Sequence, residues 1–311
     1  MIFMINTLSE INKAAAENTR EFINKCEENY HSVLLQIAQH IRDNRHLKII
    51  MLAGPSGSGK TTSALLLCRY LKELNIYAQT VSLDNFYLDA EFSPLLHDGT
   101  VDTESVYALD LKEIQHCFSA LLKNGKCSMP VFDFASHKSI KNAQTADITG
   151  GGVLIVEGLH ALNPEITDHL PKDSLYKIYV SVNDSVFDDS GNEILSSRKI
   201  RLMRRVLRDE KFRGSSIEKT LYMWTQVVSG EEKYLYCFKD EADVQLSTFH
   251  PYEVCVYNKH FNQMLTGLNP QTENYEYACL TGKGVEPFLN IPFSAVPEIS
   301  LIREFIGNDD I

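Results

Sequence analysis

Long apolar runs are missing from this sequence of 311 residues. A membrane-spanning helix needs roughly 20 consecutive apolar residues, and no stretch of the chain approaches that length. The opening segment, residues 1–5, is too short for the apolar core of a signal peptide and has no basic residues ahead of it. The sequence therefore predicts a cytoplasmic protein without a membrane partner.

Cysteine pairs and an excess of basic residues are missing as well. The seven cysteines are scattered singly, with no C-x-x-C pair, so neither a zinc ribbon nor a disulfide framework is indicated. The 30 Lys and Arg residues are outnumbered by 41 Asp and Glu residues, which gives a formal net charge of −11. A broad nucleic-acid-binding surface would need a positive face. We expect a small-molecule partner rather than nucleic acid, and homo-oligomerisation stays open.

What the chain has is the composition of a globular protein, with 44% apolar and 23% charged residues, which suits one sizeable α/β core. Strands are predicted at residues 77–83, at 127–134 with a loop after it, at 153–156, at 176–182 and, as a fifth or edge strand, at 242–246. The continuous apolar run 153–156 is typical of a parallel strand covered on both faces. Strands that alternate with helices predict a doubly wound, mostly parallel sheet.

Helical periodicity marks the stretches between these strands. Residues 8–44 predict a long helix that packs on the core through one apolar stripe. Residues 109–124 predict a helix that ends at Gly125. The only tryptophan, Trp224, is expected in the core.

The most informative motif is Gly54–Thr62, which fits the phosphate-binding pattern G-x-x-x-x-G-K-[ST] at every required position. The apolar run 47–53 before it suits a buried strand, and residues 62–73 after it have helical periodicity. At such a strand-to-helix turn the backbone N–H groups can surround phosphate oxygens. The motif therefore predicts that the chain binds a nucleoside triphosphate.

Each residue type within this phosphate loop has a chemical role. Glycines let the backbone approach the phosphates, and the helix N-terminus adds partial positive charge. We predict that Lys60 pairs with the β- and γ-phosphates of ATP and that the Thr61 hydroxyl binds Mg²⁺. The predicted nucleotide-binding set in the loop is Gly54, Ser56, Gly57, Ser58, Gly59, Lys60, Thr61 and Thr62.

Two acids, Asp84 and Glu157, follow predicted strands. Ligands of open α/β sheets bind outside the carboxyl ends of the strands. A phosphoryl acceptor hydroxyl needs a carboxylate to take its proton, and Mg²⁺ needs an anchor besides Thr61. Asp84 suits the first role and Glu157 the second. A helix N-cap is the alternative for each, and Asp84 fits a turn equally well.

A basic stretch, residues 198–213, carries eight Lys or Arg residues and two acids. On a helix, positions three and four residues apart share a face. That face carries Arg198, Arg201, Arg205 and Arg208. In so acidic a chain we predict that it closes as a lid over the triphosphate, the alternative being a solvated helix surface.

Five motifs, in this order and spacing, resemble the uridine kinase branch of the phosphoribulokinase/uridine kinase family. They are the phosphate loop 54–62 and the stretches 84–87, 130–134, 157–158 and 204–209. Stretches 156–164, 212–214, 230–233 and 301–307 are similar to a bacterial subgroup called nucleoside or uridine kinases. Members of that subgroup often carry an upstream region similar to threonyl-tRNA synthetase with a TGS domain, for which we expect no room in this chain.

The resemblance implies transfer of the ATP γ-phosphoryl group to a nucleoside 5′-hydroxyl, with Asp84 as the base at that hydroxyl. Tyr87 and Asp102 would hold the nucleoside, Asp102 through the ribose hydroxyls. The implied neighbours of the nucleobase are Phe132, Phe134 and His137. The implied phosphate-binding arginines are Arg205 and Arg208, with Arg213 near them.

The chain departs from uridine–cytidine kinases in the implied base pocket. Those enzymes have Tyr where this chain has Phe132, and an Arg and a Gln that help to read the pyrimidine correspond to Ser215 and Met223. Pockets that form hydrogen bonds select substrates far more strongly than apolar pockets do. We expect the 5′-kinase chemistry to survive these changes. Pyrimidine specificity does not follow from the resemblance, because the groups that read the pyrimidine are missing.

We therefore expect a P-loop kinase fold with an Arg-rich helical lid at about 190–216. Residues 1–46 are the expected helical N-terminal extension, 47–257 the nucleoside kinase domain, and 258–311 a C-terminal extension packed on it. A kinase of another nucleoside or small hydroxyl compound is the first alternative. A nucleotide-binding regulatory or RNA-linked module is the second, and the retention of Asp84 argues against it, because a switch needs no acceptor base.

Overall fold

The computed structural model describes residues 5–96 and 99–307. The outermost four residues of each predicted extension, 1–4 and 308–311, lie outside the described residues. So do two residues of the polar segment after the second strand, 97 and 98.

Five parallel strands form the central sheet: β1 (Ile49–Ala53), β2 (Ala78–Ser82), β5 (Val153–Glu157), β6 (Leu175–Ser181) and β9 (Val244–Ser247). Their order across the sheet is β2-β5-β1-β6-β9. Every residue of β1 and of β5 is buried, as their continuous apolar sequences predict. The expectation of a doubly wound, mostly parallel sheet is confirmed, and the stretch expected at 242–246 is the edge strand β9.

Two antiparallel hairpins lie outside this sheet. Strand β3 (Lys126–Asp133) pairs with β4 (Lys138–Asp147), and β7 (Val186–Phe187) pairs with β8 (Glu193–Leu195). The expected loop after residue 134 is therefore only a short turn, because the chain returns at once as β4. The sequence gives no signal for β4, since most of its positions are exposed and carry polar side chains.

Helices cover both faces of the sheet, as two separate apolar clusters on its two sides show. The α-helices are α1 (Leu8–Asp43), α2 (Lys60–Glu73), α3 (Leu111–Asn124), α4 (Pro164–Thr167), α5 (Ser197–Arg213), α6 (Ile217–Tyr234), α7 (Glu253–Leu265), α8 (Tyr275–Val285) and α9 (Arg303–Ile306). Among the described residues no helix combines the length and apolarity that a bilayer crossing requires.

Helix α1 shows how local sequence sets the helix bounds. Thr7 and Glu10 form a capping box at its start, in which each side chain accepts a hydrogen bond from the other residue's backbone N–H. The helix is kinked at Asn18, whose backbone leaves the helical region. Its apolar stripe is buried against the core, with Leu34 fully covered. Helix α3 ends at Gly125, which has φ of 72°.

Candidate active site

A cavity of about 560 Å³ opens at the carboxyl ends of the central strands. The phosphate loop after β1 contributes Lys60 and Thr61, Asp84 follows β2, and Glu157 ends β5. The fold thus brings together the loop and the two acids on which the sequence prediction rests. Ligand pockets hold about 300–1,000 Å³, so this cavity has the size of a small-molecule site.

The backbone of the phosphate loop is too crowded for side chains at its glycines. A Cβ on Gly54 would lie 2.0 Å from the Val180 carbonyl oxygen, and a Cβ on Gly57 would lie 2.9 Å from that of Arg201. Gly57 and Gly59 have φ of 72° and 83°, in the left-handed region that glycine occupies readily. Gly59 directly precedes α2, so the unpaired N–H groups of that helix face the cavity.

Lys60 is held at the loop by a hydrogen bond from its Nζ to the Pro55 carbonyl oxygen, at 3.1 Å. Burial lowers the pKa of Lys60, and the nearby carboxylates of Glu157 and Asp84 oppose that change. A triphosphate would supply the negative charge that a desolvated ammonium group requires. The Ser58 hydroxyl is also buried and makes no hydrogen bond within residues 5–96 and 99–307, but Ser58 is not among the described lining residues of the cavity.

The donors around Thr61 fit Mg²⁺ in the manner of a nucleotide-bound ion. Thr61 and Glu157 line the same cavity. The described part of the chain contains no cluster of three or more His, Cys, Asp or Glu side chains that could bind a metal on its own. Mg²⁺ usually keeps several water ligands and binds through one or two carboxylates together with substrate phosphates. Thr61 and Glu157 would therefore hold the ion only together with the nucleotide.

Asp84 lies in the cavity with its side chain open to the cavity space. The surrounding protein still removes most of its bulk water, and this burial raises the pKa of Asp84, while Lys60 and Arg213 oppose the rise. Burial raises the pKa of Glu157 in the same way, with Lys60 opposing. A carboxylate with a raised pKa is a stronger base, which is what proton removal from a hydroxyl requires.

Three arginines from the middle and the end of α5 reach the cavity around one acid, Asp209. Arg205, Arg208 and Arg213 line the cavity, and each lies within 3.6 Å of an Asp209 carboxylate oxygen. Arg205 also donates a hydrogen bond to the Ser56 hydroxyl at 2.6 Å. Burial lowers the pKa of Arg205, with Asp209 opposing. These side chains supply positive charge beside the phosphate loop.

The four arginines predicted to share one lid face are divided by the structure. Arg198 lies at the surface and pairs with Glu232. Arg201 is buried beneath the phosphate loop, with only 1% of its surface exposed. The reason is that α5 packs against α6, α7 and α9 and is buried around most of its circumference, so that Arg205 and Arg208 alone of these four line the cavity.

Aromatic side chains form the opposite wall of the cavity. Tyr87, Phe132 and Phe134 pack edge to face, with ring centroids 5.1–6.3 Å apart. His137 lines the cavity from the turn between β3 and β4, where its φ is 54°. Met223 lies on this cavity as well. The wall offers flat apolar faces and few hydrogen-bonding groups.

The polar segment after β2 contributes residues to the cavity, but Asp102, the residue predicted from the sequence, is not one of them. Thr103 and Glu104 line it, whereas Asp102 is not among the described lining residues. Burial raises the pKa of Glu104 to about 7, with Arg205 opposing. A Cβ on Gly230 would lie 2.5 Å from that of Glu104, so the glycine in α6 makes room for this carboxylate. Ser215 is likewise absent from the described lining.

The C-terminal segment packs beside the phosphate loop. Thr62, predicted to bind the nucleotide, donates its hydroxyl hydrogen bond to Glu304 at 2.6 Å. Glu304 also lines the cavity. Leu301 lies so close that a Cβ on Gly59 would be 2.6 Å from it. These contacts pack the C-terminal extension directly on the phosphate loop.

Sequence reasoning missed three acids of this cavity: Glu104, Glu231 and Glu304. Glu231 accepts a hydrogen bond from the backbone N–H of Ser56 at 2.8 Å. Glu231 and Glu304 stand in stretches that resemble the bacterial subgroup, but no chemical pattern assigns them a role. Trp224, expected in the core, is buried beside Arg201, with the guanidinium 5.6 Å from the ring centroid.

Comparisons with known proteins agree with this geometry. The model of the phosphoribulokinase/uridine kinase family matches residues 49–254. A uridine kinase of Schizosaccharomyces pombe is 30% identical over 187 residues, which are 59% of this chain and 36% of that protein. A uridine kinase of Lactobacillus helveticus is 27% identical over 180 residues, 58% of this chain and 76% of that protein. The match thus spans little more than a third of the yeast relative.

A solved structure supports the fold alone. The crystal structure of a proposed fructose transport system kinase from Silicibacter sp. TM1040 aligns with a TM-score of 0.50 and 20% sequence identity, over 68% of this chain and 98% of that chain. The family match covers the five central strands and the cavity residues from the phosphate loop to Glu231. The chain belongs to the phosphoribulokinase/uridine kinase family.

Proposed function

We propose that this protein uses ATP and Mg²⁺ to phosphorylate the 5′-hydroxyl of a nucleoside, with uridine or cytidine as the first candidates. The observation that carries the proposal is one cavity that holds Lys60, Asp84 and Glu157 together with an aromatic wall. The uridine kinases among the relatives favour a nucleoside acceptor. A cytoplasmic location remains a prediction from the sequence.

In this proposal the phosphate loop and the arginines hold the ATP phosphates. Backbone N–H groups at the start of α2 and the side chain of Lys60 bind phosphate oxygens. Arg205, Arg208 and Arg213 add positive charge where negative charge develops on the phosphates during transfer. Thr61 and Glu157 would hold the metal together with the nucleotide. Mg²⁺ would supply positive charge that neutralises part of the phosphate charge during transfer.

Asp84 acts on the acceptor. Its carboxylate accepts the proton of the nucleoside hydroxyl while the acceptor oxygen forms a bond to the γ-phosphorus and the bond from that phosphorus to the ADP oxygen breaks. The proton then passes to solvent through the open cavity. The raised pKa of Asp84 favours this role, because a more basic carboxylate holds the transferred proton better.

The aromatic wall would bind the nucleobase by stacking and edge contacts. Phe132 and Met223 offer it no hydrogen bonds, which agrees with weak selection among bases. Asp102 remains the proposed ribose ligand from the family resemblance. Glu104, which lines the cavity beside Arg205, is a second carboxylate within the acceptor region.

A kinase of another small hydroxyl compound is the second candidate. Two features favour it: the extra carboxylate Glu104 in the cavity and the apolar Met223 at a position that reads pyrimidines in uridine–cytidine kinases. A carboxylate accepts hydrogen bonds from sugar hydroxyls, so it can bind an acceptor that has no nucleobase. A regulatory nucleotide-binding module is less well supported, because it would need no Asp84 in the cavity.

The test is ADP formation from ATP and Mg²⁺ with a panel of acceptors. Uridine, cytidine, adenosine, guanosine, ribose and fructose would be compared with no acceptor at all. We expect ADP formation that depends on a nucleoside. Activity with a free sugar alone would select the second candidate, and ATP binding without turnover on any acceptor would favour the regulatory module.

A further inference from the structure

The phosphate loop is tied to α5 and α6 through the peptide groups of one residue, Ser56. Its N–H donates to Glu231 Oε1 at 2.8 Å, and its carbonyl oxygen accepts a hydrogen bond from Arg201 at 2.9 Å. Arg201 and Glu231 also bind each other through two parallel hydrogen bonds of 2.8 and 2.9 Å. One buried ion pair therefore holds both backbone groups of Ser56.

The two loop carbonyls that follow are held in the same way. The Gly57 carbonyl oxygen accepts a hydrogen bond from Arg204 at 3.2 Å. The Ser58 carbonyl oxygen accepts one from the Thr248 hydroxyl at 2.7 Å. Three successive carbonyls are thus bound by side chains behind the loop. The residues that bind them are absent from the described cavity lining.

Holding a carbonyl fixes the N–H of the next residue. The peptide group is planar and trans, so its C=O and N–H point in opposite directions, and the described residues contain no cis peptide bond. With the Ser56 and Ser58 carbonyls bound behind the loop, the N–H groups of Gly57 and Gly59 point toward the cavity. The N–H of Ser58 between them donates instead to the Pro55 carbonyl oxygen at 3.2 Å. The two glycine N–H groups directed at the cavity can still bind an anion there.

Stability alone does not explain the Arg201–Glu231 pair. Both side chains are almost fully covered, at 2% and 0% exposure. Removing two charges from water costs about as much as their attraction returns, and apolar replacements of similar volume are often as stable. The pair does, however, orient a peptide at the nucleotide site.

We propose that the Arg201–Glu231 ion pair is a positioning device for the phosphate loop, which orients the Ser56–Gly57 peptide so that the Gly57 N–H faces the nucleotide phosphates. The proposal rests on the nucleotide-binding part of the proposed function. Glu231 lines the cavity edge, and Tyr236 supports the pair with a hydrogen bond from Arg201 at 3.0 Å.

The chain offers a matched control for this pair. Arg198 and Glu232 join the same two helices at the surface, at 2.8 Å. Among the hydrogen bonds of the described residues, none links either side chain to the phosphate loop. A substitution of that pair disturbs the α5–α6 contact without reaching Ser56. Because Arg201 also contacts Trp224 and Tyr236, a loss of ADP affinity is assigned to the loop only where the melting temperature of the buried-pair variant stays close to that of the control variant.

The experiment measures Mg·ADP binding by titration calorimetry and the melting temperature of each variant. In the double variant Arg201→Met/Glu231→Leu no charge is left unpaired, and we expect ADP affinity to fall about tenfold or more, the effect of one well-oriented hydrogen bond. Arg198→Met/Glu232→Leu should bind ADP within about twofold of the unaltered protein. AMP, which lacks the β-phosphate, should lose less affinity than ADP in the first variant.

The outcomes separate this inference from the function. A folded Arg201→Met/Glu231→Leu protein that binds ADP as tightly as the unaltered protein would overturn the positioning role alone. If the unaltered protein binds no ADP, the nucleotide site itself is wrong, and the inference falls with it.

Should the double variant fail to fold, hydrogen–deuterium exchange in Glu231→Gln decides. Amides of the peptide covering residues 54–60 should exchange faster than in the unaltered protein, while those of β1 stay protected. Unchanged exchange at residues 54–60 would overturn the proposal.

Discussion

The two sides of the cavity are built differently. On the phosphate-loop side, backbone groups of Ser56, Gly57 and Ser58 are all held by buried side chains. Two of those side chains belong to Arg201 and Arg204. On the aromatic side, Phe134 and His137 are exposed and few polar contacts fix the wall. In the proposed kinase, the phosphate-binding side would therefore have a strictly held geometry and the acceptor-binding side a looser one.

The largest expected effect falls on the strict side, at Lys60. Its charge matters most while the phosphoryl group is in transfer, so Lys60→Ala should lower kcat by about a thousandfold or more with the fold intact. Steady-state ADP formation and circular dichroism check this. Lys72→Ala, an exposed lysine at the end of the same helix, is the control. Near-normal turnover in folded Lys60→Ala would refute the phosphate-loop assignment.

The next effect tests the boundary between the two sides. Asp84→Asn removes the proposed base but keeps its size, so kcat should fall by roughly two to four powers of ten while ATP affinity stays the same. Single-turnover rates and ATP titrations give the two quantities. Unchanged turnover with weaker Mg²⁺ binding would instead move Asp84 to the metal site and reopen the role of Glu157.

The loose side should show weak base selection. We expect kcat/KM for uridine, cytidine, adenosine and guanosine to differ by about tenfold to a hundredfold, because Phe132 and Met223 provide no hydrogen bonds to discriminate bases. The sugar should be read more strictly, since loss of a bound hydroxyl leaves a carboxylate without its partner at a cost of about 1–3 kcal/mol. 2′-Deoxyuridine should therefore be a poorer substrate than uridine. A preference above about ten thousandfold for one base would contradict the loose pocket.

The smallest expected effect is a pH dependence of stability that originates at Glu104. Its pKa is raised from 4.5 to about 7 in the folded protein. The folded state thus favours the protonated form, and the stability this provides is complete below pH 4.5 and is lost as pH rises through about 7. From pH 5 to 8 the unliganded protein should lose about 1 kcal/mol relative to Glu104→Gln, since Glu104 is only half-buried and partly screened.

Melting temperatures at both pH values measure that change, with a difference of roughly 2–4 °C expected. Glu91→Gln, at an exposed acid of the same polar segment, should leave the melting temperature unchanged at both pH values. A pH dependence that is identical in Glu104→Gln and the unaltered protein would show that Glu104 titrates normally.

The same contrast explains how much the sequence predicts. Local pattern suffices for the sheet, the phosphate loop and the acids Asp84 and Glu157, because each follows directly from a strand and its turn. Contacts between distant segments carry no such pattern. Glu231 meets Ser56 across 175 residues, and Glu304 meets Thr62 across 242. Their positions depend on how α6 and the C-terminal segment pack.

The basic helix α5 shows a further limit of pattern. Helical spacing predicts which arginines lie along one side of a helix, but it does not tell which of them are covered by neighbouring elements. Arg201 is buried by α6 and the loop, whereas Arg198, one turn earlier, stays at the surface. Burial of an arginine depends on a partner such as Glu231, which the sequence alone does not pair with it.

Identification of the reaction product tests the central proposal most directly. The protein would be incubated with ATP, Mg²⁺ and uridine, and the products separated and identified by mass spectrometry and ³¹P NMR. We predict equal amounts of ADP and uridine 5′-monophosphate, and neither product with Asp84→Asn on the same timescale. Phosphate release with unmodified uridine, or phosphate on the 2′- or 3′-oxygen, would contradict a nucleoside 5′-kinase.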